Sequence, residues 1–217
     1  IMKCSEICAL IEQFYGTEYA CDWDNVGLLA GRSTKEVKKI LLSLDATDEV
    51  VRMAVEGGYD MLITHHPMLF SAIKRVTDQD MNGRRLLELI RNDISYYAMH
   101  TNYDTRGMAD LAARLMGLTE CAVLEEVKDG EGIGRVGKLP HPMTLRECGE
   151  QVKVAYGIPN VRLFGDPDTQ VSLVGICPGA GKSTMPLALG FGCDVYITGD
   201  IDHHTGIDAV DQGMCII

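Results

Sequence analysis

Two short segments of the chain place imidazole and carboxylate side chains directly after apolar runs. Met61-Leu62-Ile63-Thr64 is followed by His65 and His66, and Tyr96-Tyr97-Ala98-Met99 is followed by His100 and then by Asp104. Each run has the apolar continuity of a buried strand. In open α/β sheets, ligands bind beyond the carboxyl ends of the strands. Three histidines and one aspartate at such ends therefore predict a metal site.

The donor types leave the identity of this metal open. Imidazole suits Zn, Fe, Ni or Cu, and a carboxylate extends the range to Mn. Adjacent histidines on a regular strand point to opposite faces, but at a strand end before Pro67 the backbone can turn and direct both into one cleft. Two metals side by side can each take one of the pair, which would generate a hydroxide nucleophile near neutral pH. The alternative is that each histidine is an ordinary core or surface residue.

A second tandem pair, His203-His204, follows another apolar run and opens a predicted helix that Asp202 can cap. One interpretation assigns His203 and His204 to acid–base catalysis or substrate contact in the cleft. The other is a solvated first helical turn. The residues of the pair do not decide between the two.

The glycine-rich segment Pro178-Gly179-Ala180-Gly181-Lys182-Ser183 does not satisfy the P-loop pattern. That pattern needs a glycine five positions before Gly181, where this chain has Ile176. We therefore expect no Walker-type nucleotide site, although a turn of this kind can bind an anion through backbone N–H groups.

Strands alternate with helices along the whole chain, which predicts βαβ units and an α/β fold with largely parallel sheets. The charged, glycine-containing stretch 125–132 is the best boundary, giving domains 1–125 and 126–217, the second ending within its last predicted strand. Segments 58–66 and 192–200 resemble each other and indicate a weak internal repeat. The predicted strands are 39–45, 60–64, 95–99, 134–139, 161–164, 171–176 and 195–198, and the predicted helices are 3–14, 47–54, 84–92, 105–116, 144–156 and 185–188.

Composition excludes several classes of protein. The net charge of −11 argues against a nucleic-acid-binding surface, because no excess of Lys or Arg exists to neutralise phosphates. No apolar run approaches the roughly 18–20 residues of a membrane span, and the first residues lack the apolar core of a signal peptide. The 8 cysteines form no Cys-x-x-Cys pair. We expect them to be reduced, in a cytoplasmic protein.

The chain resembles the NIF-three-like proteins, which are hexamers with a dinuclear metal centre and are often labelled type 2 GTP cyclohydrolase I. The resemblance extends in order over essentially the whole chain. The matching segments are Asp22–Leu28, Thr64–Pro67, His100–Asp104, Pro178–Ser183 and Tyr196–Asp200 with His203-His204.

This resemblance implies two similar α/β domains with mostly parallel mixed sheets and a metal cleft between them. It implies His65, His66 and Asp104 as metal ligands, with His100 adjacent, and two divalent metal ions per chain of a full-length homohexamer. Further ligands of the family, a histidine and a glutamate, follow the strand in which this chain ends, so we expect partial metal occupancy here.

The function expected from these observations is that of a metal-dependent hydrolase acting on a small nucleotide-like substrate, with His203 or His204 handling substrate or a proton. The alternative is a non-catalytic, metal-binding regulatory or scaffold hexamer. No residue of the sequence identifies GTP, the reaction or the metal.

Overall fold

Two mixed sheets, one in each half of the chain, form the frame of an α/β fold in the computed structural model, which describes residues 1–217. The chain divides into a first unit, Ile1–Tyr103, and a second unit, Asp104–Ile217. The predicted α/β class is confirmed. None of the helices has the length and apolarity that a bilayer crossing requires.

The first unit contains a four-stranded sheet in the order β2-β6-β5-β4, in which β4, β5 and β6 are parallel and β2 runs antiparallel to β6. A separate pair, β1 and β3, is antiparallel. The strands are β1 Met2–Lys3, β2 Gly27–Ala30, β3 Glu36–Val37, β4 Ile40–Ser43, β5 Met61–Thr64 and β6 Ser95–Ala98, and the helices are α1 Cys4–Phe14, α2 Asp48–Glu56, α3 Met81–Arg91 and the single turn α4 Thr101–Tyr103.

Strands β5 and β6 are buried on both faces, which explains their unbroken apolar sequence. Leu62 and Tyr96 belong to one core cluster, and Ile63 and Tyr97 belong to another. Because successive side chains of a strand point to opposite faces, these two clusters cover the two sides of the sheet.

The second unit contains a five-stranded sheet in the order β11-β10-β9-β8-β7, in which β9, β10 and β11 are parallel and β7, β8 and β9 are antiparallel neighbours. Its strands are β7 Thr119–Lys128, β8 Glu131–Thr144, β9 Gln170–Ala180, β10 Val195–Asp200 and β11 Cys215–Ile216, and its helices are α5 Ala109–Leu115, α6 Leu145–Tyr156, α7 Met185–Gly190 and α8 His203–Asp211, preceded by a π-helical turn at Asp104–Met108.

The charged stretch 125–132, which the sequence predicts to separate two domains, is instead part of the second sheet. It is the tip of an antiparallel hairpin in which β7 pairs with β8, and Asp129 and Gly130 form its turn with positive φ angles of 52° and 79°. Strand β7 is mostly exposed, so its charged side chains lie on a solvated surface. The predicted division at Glu125 falls inside β7, and the two units divide earlier, after Tyr103.

Two further elements differ from their predictions. The predicted strand 161–164 is absent apart from one isolated bridge between Phe164 and Ile216. The predicted helix 105–116 is instead α4, the π-helical turn and α5 in direct succession, so helical backbone begins directly after His100. The N-caps follow capping preferences: of the two candidates Thr47 and Asp48, Thr47 caps α2, and Asp202 caps α8 as expected.

The sequence repeat corresponds to a shared topology. Strands β4, β5 and β6 and strands β9, β10 and β11 are each three parallel neighbours joined by helices. The repeat also shares a detail of hydrogen bonding. Asp60 Oδ2 accepts bonds from the backbone N–H groups of two consecutive residues, 38 and 39, and Asp194 Oδ2 accepts bonds from those of residues 172 and 173.

We expect Asp60→Ala and Asp194→Ala each to lower the free energy of unfolding by about 1–3 kcal/mol, because each leaves two backbone donors without their carboxylate acceptor. The corresponding Asn variants should cost less, since the amide oxygen can still accept. Urea denaturation measures the difference, with Asp78→Ala on an exposed carboxylate as control. Equal losses in the Ala and Asn variants would contradict this role.

Candidate metal centre

Three histidines converge in the first unit, at the carboxyl ends of adjacent parallel strands. His65 and His66 follow β5, and His100 follows β6. Their ring centroids lie 4.9 Å (His65–His66), 5.1 Å (His65–His100) and 5.5 Å (His66–His100) apart. One ring nitrogen of each lies within 4.8 Å of those of the other two. The tandem pair is therefore directed to one place, because the backbone leaves the regular strand at Thr64.

Every imidazole of this cluster is held by a hydrogen bond at Nδ1. A carbonyl or an ionised carboxylate only accepts, so Nδ1 carries the proton and Nε2 keeps the lone pair that ligates a metal. Metal-binding histidines are typically held in this way. The bonds are His65 Nδ1 to Met99 O at 2.9 Å, His66 Nδ1 to Asp45 Oδ1 at 2.8 Å and His100 Nδ1 to Asp24 Oδ1 at 3.0 Å.

The sheet topology brings these acceptors to the same edge as the histidines. Asp45 lies just beyond the carboxyl end of β4, next to β5. Asp24 precedes β2, and because β2 runs antiparallel to β6, the start of β2 meets the end of β6 at the Gly27–Ala98 pair. Carboxyl ends of parallel strands and the amino end of an antiparallel neighbour thus meet at this edge.

Asp24 is the most enclosed charged group of the site. Its side chain is inaccessible to solvent, and Oδ2 accepts bonds from the N–H and the hydroxyl of Thr101 at 3.0 Å and 2.6 Å. Burial alone would raise the pKa of Asp24, but the bonds from His100 and Thr101 outweigh burial and lower its pKa to about 2. Asp24 is therefore an ionised acceptor near neutral pH.

The buried Tyr96 hydroxyl supports the turn that carries the tandem pair. It lies 2.8 Å from the Thr64 hydroxyl, accepts a bond from Met68 N at 2.7 Å and donates to His66 O at 3.3 Å. The hydroxyl thus ties the backbone after β5 to the neighbouring strand. These hydrogen bonds fix the turn, and with it the positions of His65 and His66, without any bound ligand.

Burial keeps His65 neutral. Desolvation lowers its pKa to about 4, and the positive charges of protonated His100 and His66 add to the shift. A neutral imidazole is the form that binds a metal. His66 is more exposed, with 48% of its side chain accessible against 17% for His100, so the cluster is open to solvent on the His66 side.

Other predicted site residues lie in the second unit. Asp104 is its first residue and opens the π-helical turn, a feature that often accompanies functional sites. His203 and His204 form the exposed first turn of α8, with ring centroids 5.7 Å apart. Their proposed roles in metal binding and catalysis stay predictions.

Sequence reasoning did not assign Asp24 and Asp45. Asp45 could have been found by the same rule that found the histidines, because it also follows an apolar parallel strand. Asp24 could not, since it reaches the site from a loop before β2, and only the antiparallel pairing of β2 shows which edge that loop joins.

The comparison with protein families matches this architecture. The sequence profile described as Duf34/NIF3 (NGG1p interacting factor 3) matches residues 2–217. The chain belongs to this family. Its expected resemblance to NIF-three-like proteins is confirmed.

Among Duf34/NIF3 relatives, a Clostridium perfringens protein named GTP cyclohydrolase 1 type 2 homolog is 34% identical over 220 residues, covering 100% of this chain and 84% of that protein. A Streptococcus pneumoniae protein with the same name is 34% identical, covering 98% and 82%.

Solved structures of the Duf34/NIF3 type share the fold. Reduced HcgD from Methanocaldococcus jannaschii aligns with a TM-score of 0.85 at 31% identity, over 99% of this chain and 85% of that one. A Bacillus cereus protein related to NIF3 aligns with a TM-score of 0.93 at 24% identity, over 100% and 87%, and this likeness concerns the fold alone.

The lowered pKa of His65 predicts a pH dependence of stability in metal-free protein. The unfolded chain takes up a proton at His65 below about pH 6.5, whereas the folded chain does so only near its pKa of about 4. Stability should therefore fall as the pH drops from about 6.5 towards 4, by roughly 2–3 kcal/mol.

Urea denaturation in EDTA at pH 7 and pH 4.5, followed by circular dichroism, measures this fall. In His65→Gln the part of the fall that is due to His65 should vanish. Both pH values lie above the pKa of Asp24 in the folded chain, about 2, and above that of an unfolded aspartate, about 3.9, so that carboxylate contributes little to the fall. An unchanged pH slope in His65→Gln would contradict the assignment.

Proposed function

We propose that this protein binds a divalent transition metal through His65, His66 and His100 and acts as a metal-dependent hydrolase on a small nucleotide-like substrate. The observation that supports metal binding is the arrangement of the three rings: each is held by a hydrogen bond at Nδ1, and one ring nitrogen of each lies within 4.8 Å of those of the other two. The observation that supports the substrate class is the name GTP cyclohydrolase 1 type 2 homolog, which several relatives carry.

The donor set fits such a metal. Imidazole nitrogens suit Zn, Fe and Ni, and three protein ligands with open positions are typical of a catalytic site. The chemistry that a divalent metal supplies there is Lewis acidity, which polarises a substrate oxygen and makes hydroxide available near neutral pH. Asp24 and Asp45 place two negative charges behind the imidazoles, which offsets the positive charge that the site would hold.

The protein's own residues contribute the orientation of the rings and an open side for a ligand. Asp24 fixes the ring of His100, and the Met99 carbonyl fixes the ring of His65, so neither ring needs to reorient when a ligand arrives. The exposed side chain of His66 leaves that side of the cluster open for substrate.

Three parts of this proposal rest on the family resemblance. Asp104 would add a carboxylate ligand and allow a second ion, giving two per chain in the full-length protein. His203 or His204 would transfer a proton to or from the substrate. The alternative function, a non-catalytic regulatory or scaffold protein, needs the same metal but no turnover.

We further propose a homohexamer in a reducing compartment, the cytoplasm. All eight cysteines are free. Strand β4 lies at the edge of its sheet and exposes Leu42 (71%), and Leu44, which directly follows the strand, is also exposed (59%). Apolar side chains on an open edge favour association with another chain. Light scattering on the purified protein measures the number of subunits.

Replacing His65 and His66 together by Ala should remove nearly all bound metal while the fold is retained, because two of the three imidazole donors are lost. Elemental analysis after loading with Zn, Mn, Fe or Ni measures the metal, and release of product from GTP measures turnover. The matched control is His203→Ala with His204→Ala, a tandem pair in the second unit that should leave the metal content unchanged.

Equal metal content in both double variants would refute the site. Full metal content in the unaltered protein without turnover of GTP under any of these metals would favour the scaffold alternative.

Asp24→Asn should weaken metal binding by roughly 10–100-fold, because the amide is a poorer acceptor for His100 Nδ1–H and removes the negative charge behind the ring. Isothermal titration with zinc measures the affinity. Asp22→Asn, in the same loop, is the matched control. If Asp24→Asn and Asp22→Asn bind zinc alike, Asp24 has no role in the site.

A further inference from the structure

Two large aromatic side chains stand exposed next to the histidine cluster. Trp23 is 60% accessible and Phe70 is 52% accessible, although each belongs to a residue type that is normally well covered. Their ring centroids lie 5.8 Å apart with planes inclined by 49°. The rings of Trp23 and His100 are steeply inclined to each other, at 74°, with centroids 6.0 Å apart. Trp23 therefore lies between Phe70 and His100, which is a proposed metal ligand.

The loops that carry these rings are held in place. Trp23 precedes Asp24, whose carboxylate is bound to His100 and Thr101, and Cys21 N donates to the Thr101 hydroxyl at 2.8 Å. The Asn25 side chain donates to Leu69 O at 2.6 Å, joining the loop of Trp23 to that of Phe70. The apolar surface of the pair is therefore organised before any ligand binds, which reduces the entropic cost of binding.

We infer that Trp23 and Phe70 form a stacking platform for the planar heteroaromatic ring of the substrate, of the nucleobase class, with the rest of that molecule directed to the histidines. This inference rests on the proposed function and adds the residues that bind the base of the nucleotide-like substrate. Every base presents a π face, and stacking on an aromatic side chain is a general means of binding it. The two rings lie beside His100, beyond the carboxyl ends of the parallel strands. This position favours a small ligand of the metal site as the molecule that binds to them.

Fluorescence offers a direct test, because Trp23 is the single tryptophan of the chain. Guanosine monophosphate titrated into the zinc-loaded full chain should quench its emission saturably, and ribose 5-phosphate, which lacks the base, should not. Free N-acetyltryptophanamide corrects for absorption by the nucleotide. Phe70→Leu keeps an apolar side chain but removes the ring, and it should weaken binding at least about fivefold. Phe191→Leu, on another exposed phenylalanine, should bind as the unaltered chain does.

Three results would overturn the platform. Equal quenching by ribose 5-phosphate would show that the base is not recognised. Unchanged affinity in both Phe70→Leu and, by calorimetry, Trp23→Leu would show that the rings do not contact it. A change of oligomeric state in Phe70→Leu, without a change in nucleotide affinity, would assign the pair to a contact between subunits.

Zinc content measured on the same samples separates this inference from the proposed function. Full zinc content without quenching refutes the platform alone. Quenching that persists in the His65→Ala, His66→Ala double variant, with zinc lost, supports the platform and shows that base binding does not need the metal.

Discussion

The hydrogen bond at Nδ1 of each clustered histidine is the constraint on which the site depends. An imidazole that donates a hydrogen bond from Nδ1 to a carbonyl or carboxylate carries its lone pair on Nε2. The same bond fixes the orientation of the ring. Two of the acceptors, Asp24 and Asp45, are carboxylates from different strand ends, and the third is the backbone of Met99. Moving any one strand along its neighbour would separate a histidine from its acceptor. The orientation of the histidines therefore depends on the register of the sheet.

Parallel pairing explains why the acceptors come from such distant parts of the sequence. Strands β4, β5 and β6 each end at one edge, and each contributes a side chain or a carbonyl just beyond its last residue. The second unit repeats the three parallel strands and the pair of backbone hydrogen bonds that Asp194 accepts, but β10 ends in Gly199 and Asp200, where the first unit has the tandem histidines after β5. The topology is thus shared by both units, whereas the residues at the strand ends differ.

Sequence reasoning recovered the parts of the structure that local patterns determine. The apolar runs of β5 and β6 follow from continuous apolar sequence, the Asp202 cap follows from N-cap preferences, and the clustering of the three histidines follows from the strand-end rule. The β7–β8 hairpin was missed because β7 is charged and exposed, so its sequence is also that of a linker, and only pairing with β8 makes it a strand. The role of Asp24 is not visible in the sequence, since its contact with His100 joins residues 76 positions apart.

The enclosure of Asp24 also bears on how quickly the site can exchange its contents. Opening the loop before β2 would break the bonds to His100 and Thr101 and leave an ionised carboxylate to be rehydrated, so that loop should open only rarely. The half-exposed His66 side, in contrast, needs no such opening. A metal ion or substrate bound at the cluster would therefore enter and leave past His66, without any motion of the loop that orients His100.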